Sequence, residues 1–215
     1  MELLKRLGHH VHGLCIEPDG RFPNHLPDPE VKEYMKDLVA TVLSTGADLG
    51  LGFDGDGDRL GVIDETGRKI SADWLLAIFA RDLLVRHPGG KVRYDVKCTD
   101  FLEHDVRAHG GEPVMGRTGH SILKRDVKSL DAIIGGELSG HICFGREYYV
   151  IDDPFFSALR LLELLERSPT QKSSRLFDGF PKTVATAEIK AAVRDVKKFT
   201  VVDQLIRDFG AGHPI

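Results

Sequence analysis

The sequence predicts an α/β protein in which layered mixed sheets are flanked by helices, with one complete domain and parts of its neighbours. Three observations carry this. Strand-like and helix-like segments alternate from about residue 47 to 167, the pattern that builds sheets covered by crossover helices. The 215 residues exceed one usual domain and fall short of two generous ones. A composition of 41% hydrophobic and 29% charged residues is that of a folded globular chain, neither disordered nor fibrous.

Taken in order, residues 30–45 place Val31, Tyr34, Met35, Leu38, Val39 and Val42 at three-and-four spacing, a helix with one buried face that Gly46 ends. ADLGLGFDG (47–55) is short, apolar and bounded by glycine, a buried strand delivering the loop that follows it. LGVID, Glu65-Thr66-Gly67 and RKI then suit a hairpin. Ser71 is a candidate cap for a helix that runs out at His87-Pro88-Gly89-Gly90. Next come a strand KVRYDVK, a helix DFLEHDVRAHGG, a strand EPVMG, a helix HSILKRDVKSL and a strand DAIIGG. HICFG and YYVID read as a further strand pair, and Pro154 suits the first turn of a helix closing near residue 167. Residues 168–190 lack periodicity and are the candidate linker, followed by a short helical pattern over 196–210. The expected division is 1–68, carrying the end of one α/β domain; 69–180, a complete one; and 181–215, a linker with the start of another.

A net charge of −4 offers no footprint for a nucleic-acid backbone or an anionic membrane surface. No apolar run approaches a bilayer span, and the first residues form no export signal. Cys15, Cys98 and Cys143 are odd in number, far apart and not in CxxC spacing, so free thiols in a reducing cytoplasm are expected.

The most informative stretch is FDGDGDR (53–59), where Asp54, Asp56 and Asp58 alternate with glycine and stop at Arg59. Carboxylates so spaced repel unless protonated or neutralised by a cation. Hard oxygen ligands suit Mg²⁺ or Ca²⁺, and the glycines let the loop curl so that the acids converge. An EF-hand would use Asp54, Asp56, Asp58 and Glu65, but its required glycine is here Arg59 and the flanks read as strands. A solvated acidic turn is the plainer alternative. A cation held by three carboxylates keeps open positions that phosphate oxygen fills, and Arg59 suits bidentate phosphate contact.

Other loops sit at strand ends. Lys97 closes KVRYDVK, where an ammonium could meet a phosphorylated ligand; an ordinary surface lysine fits equally well. Thr118, Gly119 and His120 open a helix whose N–H groups could face an anion, as an ordinary helix start also would. In GGELSGH (135–141), Glu137, Ser139 and His141 offer an acceptor, a donor and a titratable group of the kind that reads sugar hydroxyls. His9, His10, His12 and His25 lack a metal-like partner set.

In this order FPNHLPDP (22–29), FDGDGDR (53–59), DVKCT (95–99), RTGHS (117–121) and GGELSGH (135–141) resemble the α-D-phosphohexomutases, in particular the bacterial phosphomannomutase/phosphoglucomutase branch. The resemblance implies an isomerase of four α/β domains around a cleft, passing a phosphoryl group from a phosphoserine to a hexose phosphate and back through a bisphosphate intermediate. It implies that Asp54, Asp56 and Asp58 bind Mg²⁺. It implies that Arg59, Lys97, His120 and His141 surround the reacting oxygens, the base among them being open, and that Thr118, Gly119, Glu137 and Ser139 contact the sugar phosphate. Loops like the family's TASHNP, with its phosphoserine, and RxSxTEP, for the distal phosphate, are not found in this sequence. The expectation is therefore a mutase fragment, inactive alone, whose partners are a hexose phosphate, a phosphoserine domain and a phosphate-binding domain. A non-catalytic sugar-phosphate and Mg²⁺ module, or a phosphoglucosamine mutase fragment, are the alternatives; nucleic acid and membrane are not expected partners.

Overall fold

The computed structural model describes residues 1–17, 19–181 and 192–209. It divides into two compact units, 1–183 and 184–215. Within the first unit, α1 (Glu2–Arg6) precedes a 3-10 turn (Lys32–Met35) running into α2 (Lys36–Thr45). Three strands follow, β1 (Leu49–Phe53), β2 (Leu60–Asp64) and β3 (Lys69–Ile70), as an antiparallel sheet in that order. Then come α3 (Ala72–Arg86), β4 (Lys91–Asp95), α4 (Asp100–Ala108), β5 (Glu112–Gly116), α5 (His120–Ser129), β6 (Ile134–Gly136), β7 (Ile142–Phe144) and α6 (Pro154–Arg167).

The second sheet has the order β5-β4-β6-β7. β4 pairs in parallel with both β5 and β6, while β7 returns antiparallel to β6. This fixes the site: the C-terminal ends of β4, β5 and β6 and the start of β7 meet at one sheet edge, where α/β sheets bind ligands. Along β4, Val92 and Tyr94 join the main core with α3, α4 and α6, whereas Arg93 turns to Asp126 on α5. Alternation along the strand thus covers both faces with helices. The main core also contains Leu60, Val62 and Ile70, so it runs without a break from the small sheet into the large one. The 3-10 turn and α2 cover the small sheet elsewhere, packing Met35 and Val42 on Ile63.

Several expectations need correction. YYVID is not a strand: Val150 has a left-handed φ of +59°, rare for a β-branched residue, and only an isolated bridge joins Asp152 to Cys143. Ser71 is the N-cap residue of α3 but makes no side-chain cap; its hydroxyl donates to Asp73 instead. The candidate linker is folded in its first half, where Ser173–Phe177 forms a 3-10 turn with Ser173 and Phe177 buried. So short a turn leaves no periodicity to read. Residues 182–190, the second half of the candidate linker, lie outside the described residues. In the second unit, Asp195–Lys197 is a 3-10 turn leading into α7 (Lys198–Phe209). Among residues 1–52, apolar side chains are exposed at Leu3, Leu7, Leu14, Ile16, Phe22 and Leu26.

Glu65 explains why the Ser173 segment is held, and why it is not an EF-hand ligand. Its carboxylate accepts from the hydroxyls of Ser173 and Ser174 and from the Ser174 N–H. Burial pushes the Glu65 carboxyl up, but these hydrogen bonds outweigh it and hold the group at about 2. A folded value below the unfolded one stabilises above the ordinary glutamate range, near 4.3, and the contribution fades as pH falls toward 2. Glu65→Gln is expected to destabilise by about 1–2 kcal/mol at neutral pH. In urea melts, the gap from the parent should narrow progressively below about pH 4.

Candidate functional site

The acidic loop begins where β1 ends. Gly57, with φ +73°, lets the chain curl back so that Asp54 Oδ1 accepts the N–H groups of Asp58 at 2.9 Å and Arg59 at 3.1 Å. Asp54 Oδ2 accepts from Arg59 Nε at 2.6 Å, and Arg59 Nη1 donates to Asp28 at 3.0 Å. Arg59, expected to grip phosphate, is thus held between two carboxylates, and Asp28 of the FPNHLPDP stretch is what anchors it. Burial raises the Asp54 carboxyl, yet the bonds from Arg59 and from the two N–H groups leave it lowered to about 2. Asp58 goes the other way. Burial pushes it up, His141 opposes that, and the neighbouring Asp54 and Asp56 add to the rise.

Asp54, Asp56 and Asp58 each present an oxygen within 4.8 Å of the others. Arg59 compensates the buried Asp54, while exposed Asp56 and half-buried Asp58 have no comparable cation among the described residues. The donor set fits a hard divalent ion, whose charge would relieve the crowding that raises Asp58.

At the sheet edge, fully buried Asp95 joins three of the expected motifs. Its carboxylate accepts from Thr118 Oγ1 at 2.9 Å, from the Leu138 N–H at 3.2 Å and from Cys98 Sγ at 3.1 Å. Glu137, buried to 3% exposure, accepts from the Gly119 N–H at 2.6 Å and from Ser139 Oγ at 3.4 Å. Thr118, Gly119, Glu137 and Ser139 therefore form one hydrogen-bonded frame. Arg93 supports it from below, donating to the Arg117 carbonyl and to Asp126. Lys97 lies past the end of β4, half-buried, without a side-chain hydrogen bond or ion pair among the described residues. The strand is shorter than expected because the chain turns after Asp95, where the Cys98 N–H bonds the Asp95 carbonyl.

The two loop systems meet through backbone and side chain. The Leu60 N–H donates to the Gly140 carbonyl at 3.1 Å, joining β2 to the GGELSGH loop. His141 Nδ1 stands 3.6 Å from Asp58 Oδ2 and 3.2 Å from Asp152 Oδ2. His120 Nδ1 is 3.4 Å from the same Asp152 oxygen, and the two imidazoles stack with centroids 5.3 Å apart. Lys124 Nζ donates to Asp152 Oδ1 at 2.8 Å. The structure thus brings Asp58, His120 and His141 together around Asp152.

These loops occur in known proteins. A family model for the α/β/α domain III of phosphoglucomutase/phosphomannomutase matches residues 71–184, and one for its domain II matches residues 1–67. The chain belongs to the phosphoglucomutase/phosphomannomutase family. It is 47% identical over 207 residues to the phosphomannomutase/phosphoglucomutase of Pseudomonas syringae pv. tomato, covering 96% of this chain and 44% of that protein. A Neisseria gonorrhoeae phosphoglucomutase is 42% identical over 192 residues, covering 89% of this chain and 41% of the relative. A crystal structure of a phosphoglucomutase/phosphomannomutase family protein from Burkholderia thailandensis matches with a TM-score of 0.83 at 44% identity, over 86% of this chain and 40% of the other. The chain spans less than half the length of these relatives.

Among the residues gathered at these loops, sequence reasoning passed over Asp28, Asp95, Lys124 and Asp152. Asp28 and Asp95 lie inside quoted motifs, and for Asp95 its place two residues before Lys97 was the available signal. Asp152 gave none, because YYVID reads as a strand and the adjacent Asp153-Pro154 reads as a helix start.

Proposed function

We propose that this chain carries the metal-binding and sugar-binding parts of a phosphohexomutase, interconverting hexose 1-phosphate and 6-phosphate through a phosphoserine and a bisphosphate intermediate. The observation that carries it is the junction of the two loops: Gly140 bonded to Leu60, and His141 beside Asp58. A cation site and a hydroxyl-reading frame serve one ligand only if they adjoin. The relatives bear the names phosphomannomutase/phosphoglucomutase and phosphoglucomutase, which supports glucose and mannose phosphates as substrates.

Asp54, Asp56 and Asp58 would hold Mg²⁺, which when bound neutralises charge on a transferring phosphoryl group. Thr118, Gly119, Glu137 and Ser139 orient the sugar by exchanging their mutual hydrogen bonds for bonds to its hydroxyls and phosphate. His120 and His141, both near Asp152, are placed to hold or move a proton. Lys97, free of internal partners among the described residues, supplies positive charge to the phosphate. Arg59 acts through Asp54, fixing the carboxylate that anchors the loop. The phosphoserine and the distal phosphate site that this reaction requires would be supplied from outside these loops. The three cysteines are unpaired, in keeping with catalysis in the cytoplasm.

The test is a chimera in which residues 1–181 replace the matching segment of the Pseudomonas syringae relative. Phosphoglucomutase turnover is expected, and Asp58→Asn within the chimera is expected to lower kcat/KM by at least about 100-fold. A folded chimera without turnover, or one indifferent to Asp58→Asn, contradicts the proposal.

A further inference from the structure

The acids of the loop are not the only place where ligand atoms converge. Asp58, His120, His141 and Asp152 each offer one such atom within 4.8 Å of the others. Around Asp152 Oδ2, His141 Nδ1 lies at 3.2 Å and His120 Nδ1 at 3.4 Å, and His141 Nδ1 lies 3.6 Å from Asp58 Oδ2. Ligands about 2.0–2.1 Å from a tetrahedral ion are separated by about 3.3 Å, which these edges match.

A second observation points to a missing ligand. The Asp152 side chain is only 7% exposed, and its Oδ2 has no hydrogen-bond partner. The buried His141 Nδ1 has none either, because its approach to Asp152 is close but misaligned for donation. Asp152 Oδ1, by contrast, is satisfied by Lys124, whose ammonium also donates to His120 Nδ1 at 3.2 Å. An ion bound here would displace Lys124 from His120 Nδ1 and leave the ammonium on Asp152 Oδ1. Two imidazoles and two carboxylates favour Zn²⁺ or Co²⁺, whereas three carboxylates favour Mg²⁺.

We infer that Asp58, His120, His141 and Asp152 form a second divalent site, selective for zinc-like ions, whose occupancy takes Asp58 from the aspartate triad and both imidazoles from catalysis. Such an ion is an inhibitor built into the site. The inference rests on the proposed function only for the word inhibitor; the binding itself stands on the four side chains.

The test is a titration of the 215-residue chain with Co²⁺, followed by the visible ligand-field absorption of a four-coordinate ion and reversed by Zn²⁺. A saturable band is expected, weakened by excess Mg²⁺ through competition for Asp58. Asp152→Asn and His120→Ala are each expected to weaken Co²⁺ binding at least about tenfold. The His120 side chain is 49% exposed, so its alanine variant is expected to fold. Asp56→Asn is expected to keep the band and lose the Mg²⁺ competition. No band in the folded chain, or a band indifferent to both Asp152→Asn and His120→Ala, overturns the inference. A band that Mg²⁺ fails to weaken leaves the second site standing and counts against Mg²⁺ binding at the aspartate loop.

Discussion

Gly140→Ala is expected to cost about 2–3 kcal/mol of stability and, in the chimera, about 100-fold in kcat/KM. Gly140 has φ +98°, a conformation that any side chain strains. A Cβ there would stand 2.9 Å from the Leu60 carbonyl oxygen and 3.3 Å from the Leu60 nitrogen, both of them backbone atoms of β2 that no rotamer change can move. The same two residues share the hydrogen bond that joins the sugar-reading loop to the strand leaving the acidic loop. Relief of the clash therefore moves Glu137, Ser139 and His141 away from Asp58, and a displacement of about 1 Å is enough for the loss in rate. Thermal melts and steady-state kinetics on the chimera check both parts. Full activity in a Gly140→Ala chimera would mean that the two loops need not adjoin.

Asp95→Ala is expected to destabilise by about 3–4 kcal/mol, since it removes one buried acceptor and orphans three donors, from Thr118, Leu138 and Cys98. Those donors lie in the three loops that follow β4, β5 and β6, so the loss reaches the whole sheet edge. Asp95→Asn, which keeps one carbonyl acceptor and the shape, is expected to recover about half of it. Urea melts of both variants measure the stability. Hydrogen exchange adds a readout that general destabilisation does not single out: the Leu138 amide should lose protection in Asp95→Ala by more than amides in the centre of α3 do. Equal loss at both places would contradict the view that Asp95 is the tie between the loops.

Much of the fold was legible because its signals are local. A glycine-bounded apolar run marked β1, and one-sided helical spacing marked α2. Alternation of the two predicted a sheet built by crossovers. YYVID and the Ser173 segment were not legible, and for one physical reason: both are held by partners distant in sequence. Asp152 bridges to Cys143, and Ser173 binds a carboxylate at Glu65, so neither leaves a period in the sequence. Among site residues, the alternating Asp54, Asp56 and Asp58 were readable because their mutual repulsion demands an explanation. The engagement of Arg59 by Asp54 and Asp28, and of Glu137 by Gly119, was hidden. Whether a charged group faces a ligand or a neighbouring loop depends on backbone geometry that residue type does not encode.

Manganese, detectable by anomalous scattering and close to Mg²⁺ in its ligand preferences, tests the acidic loop most directly in crystals of the chain soaked with the ion. The account predicts a peak about 2.0–2.3 Å from one oxygen of each of Asp54, Asp56 and Asp58, with open positions turned toward His141. Carboxylates left apart in solvent at saturating manganese, or density bounded by Asp58, His120, His141 and Asp152 alone, would contradict it.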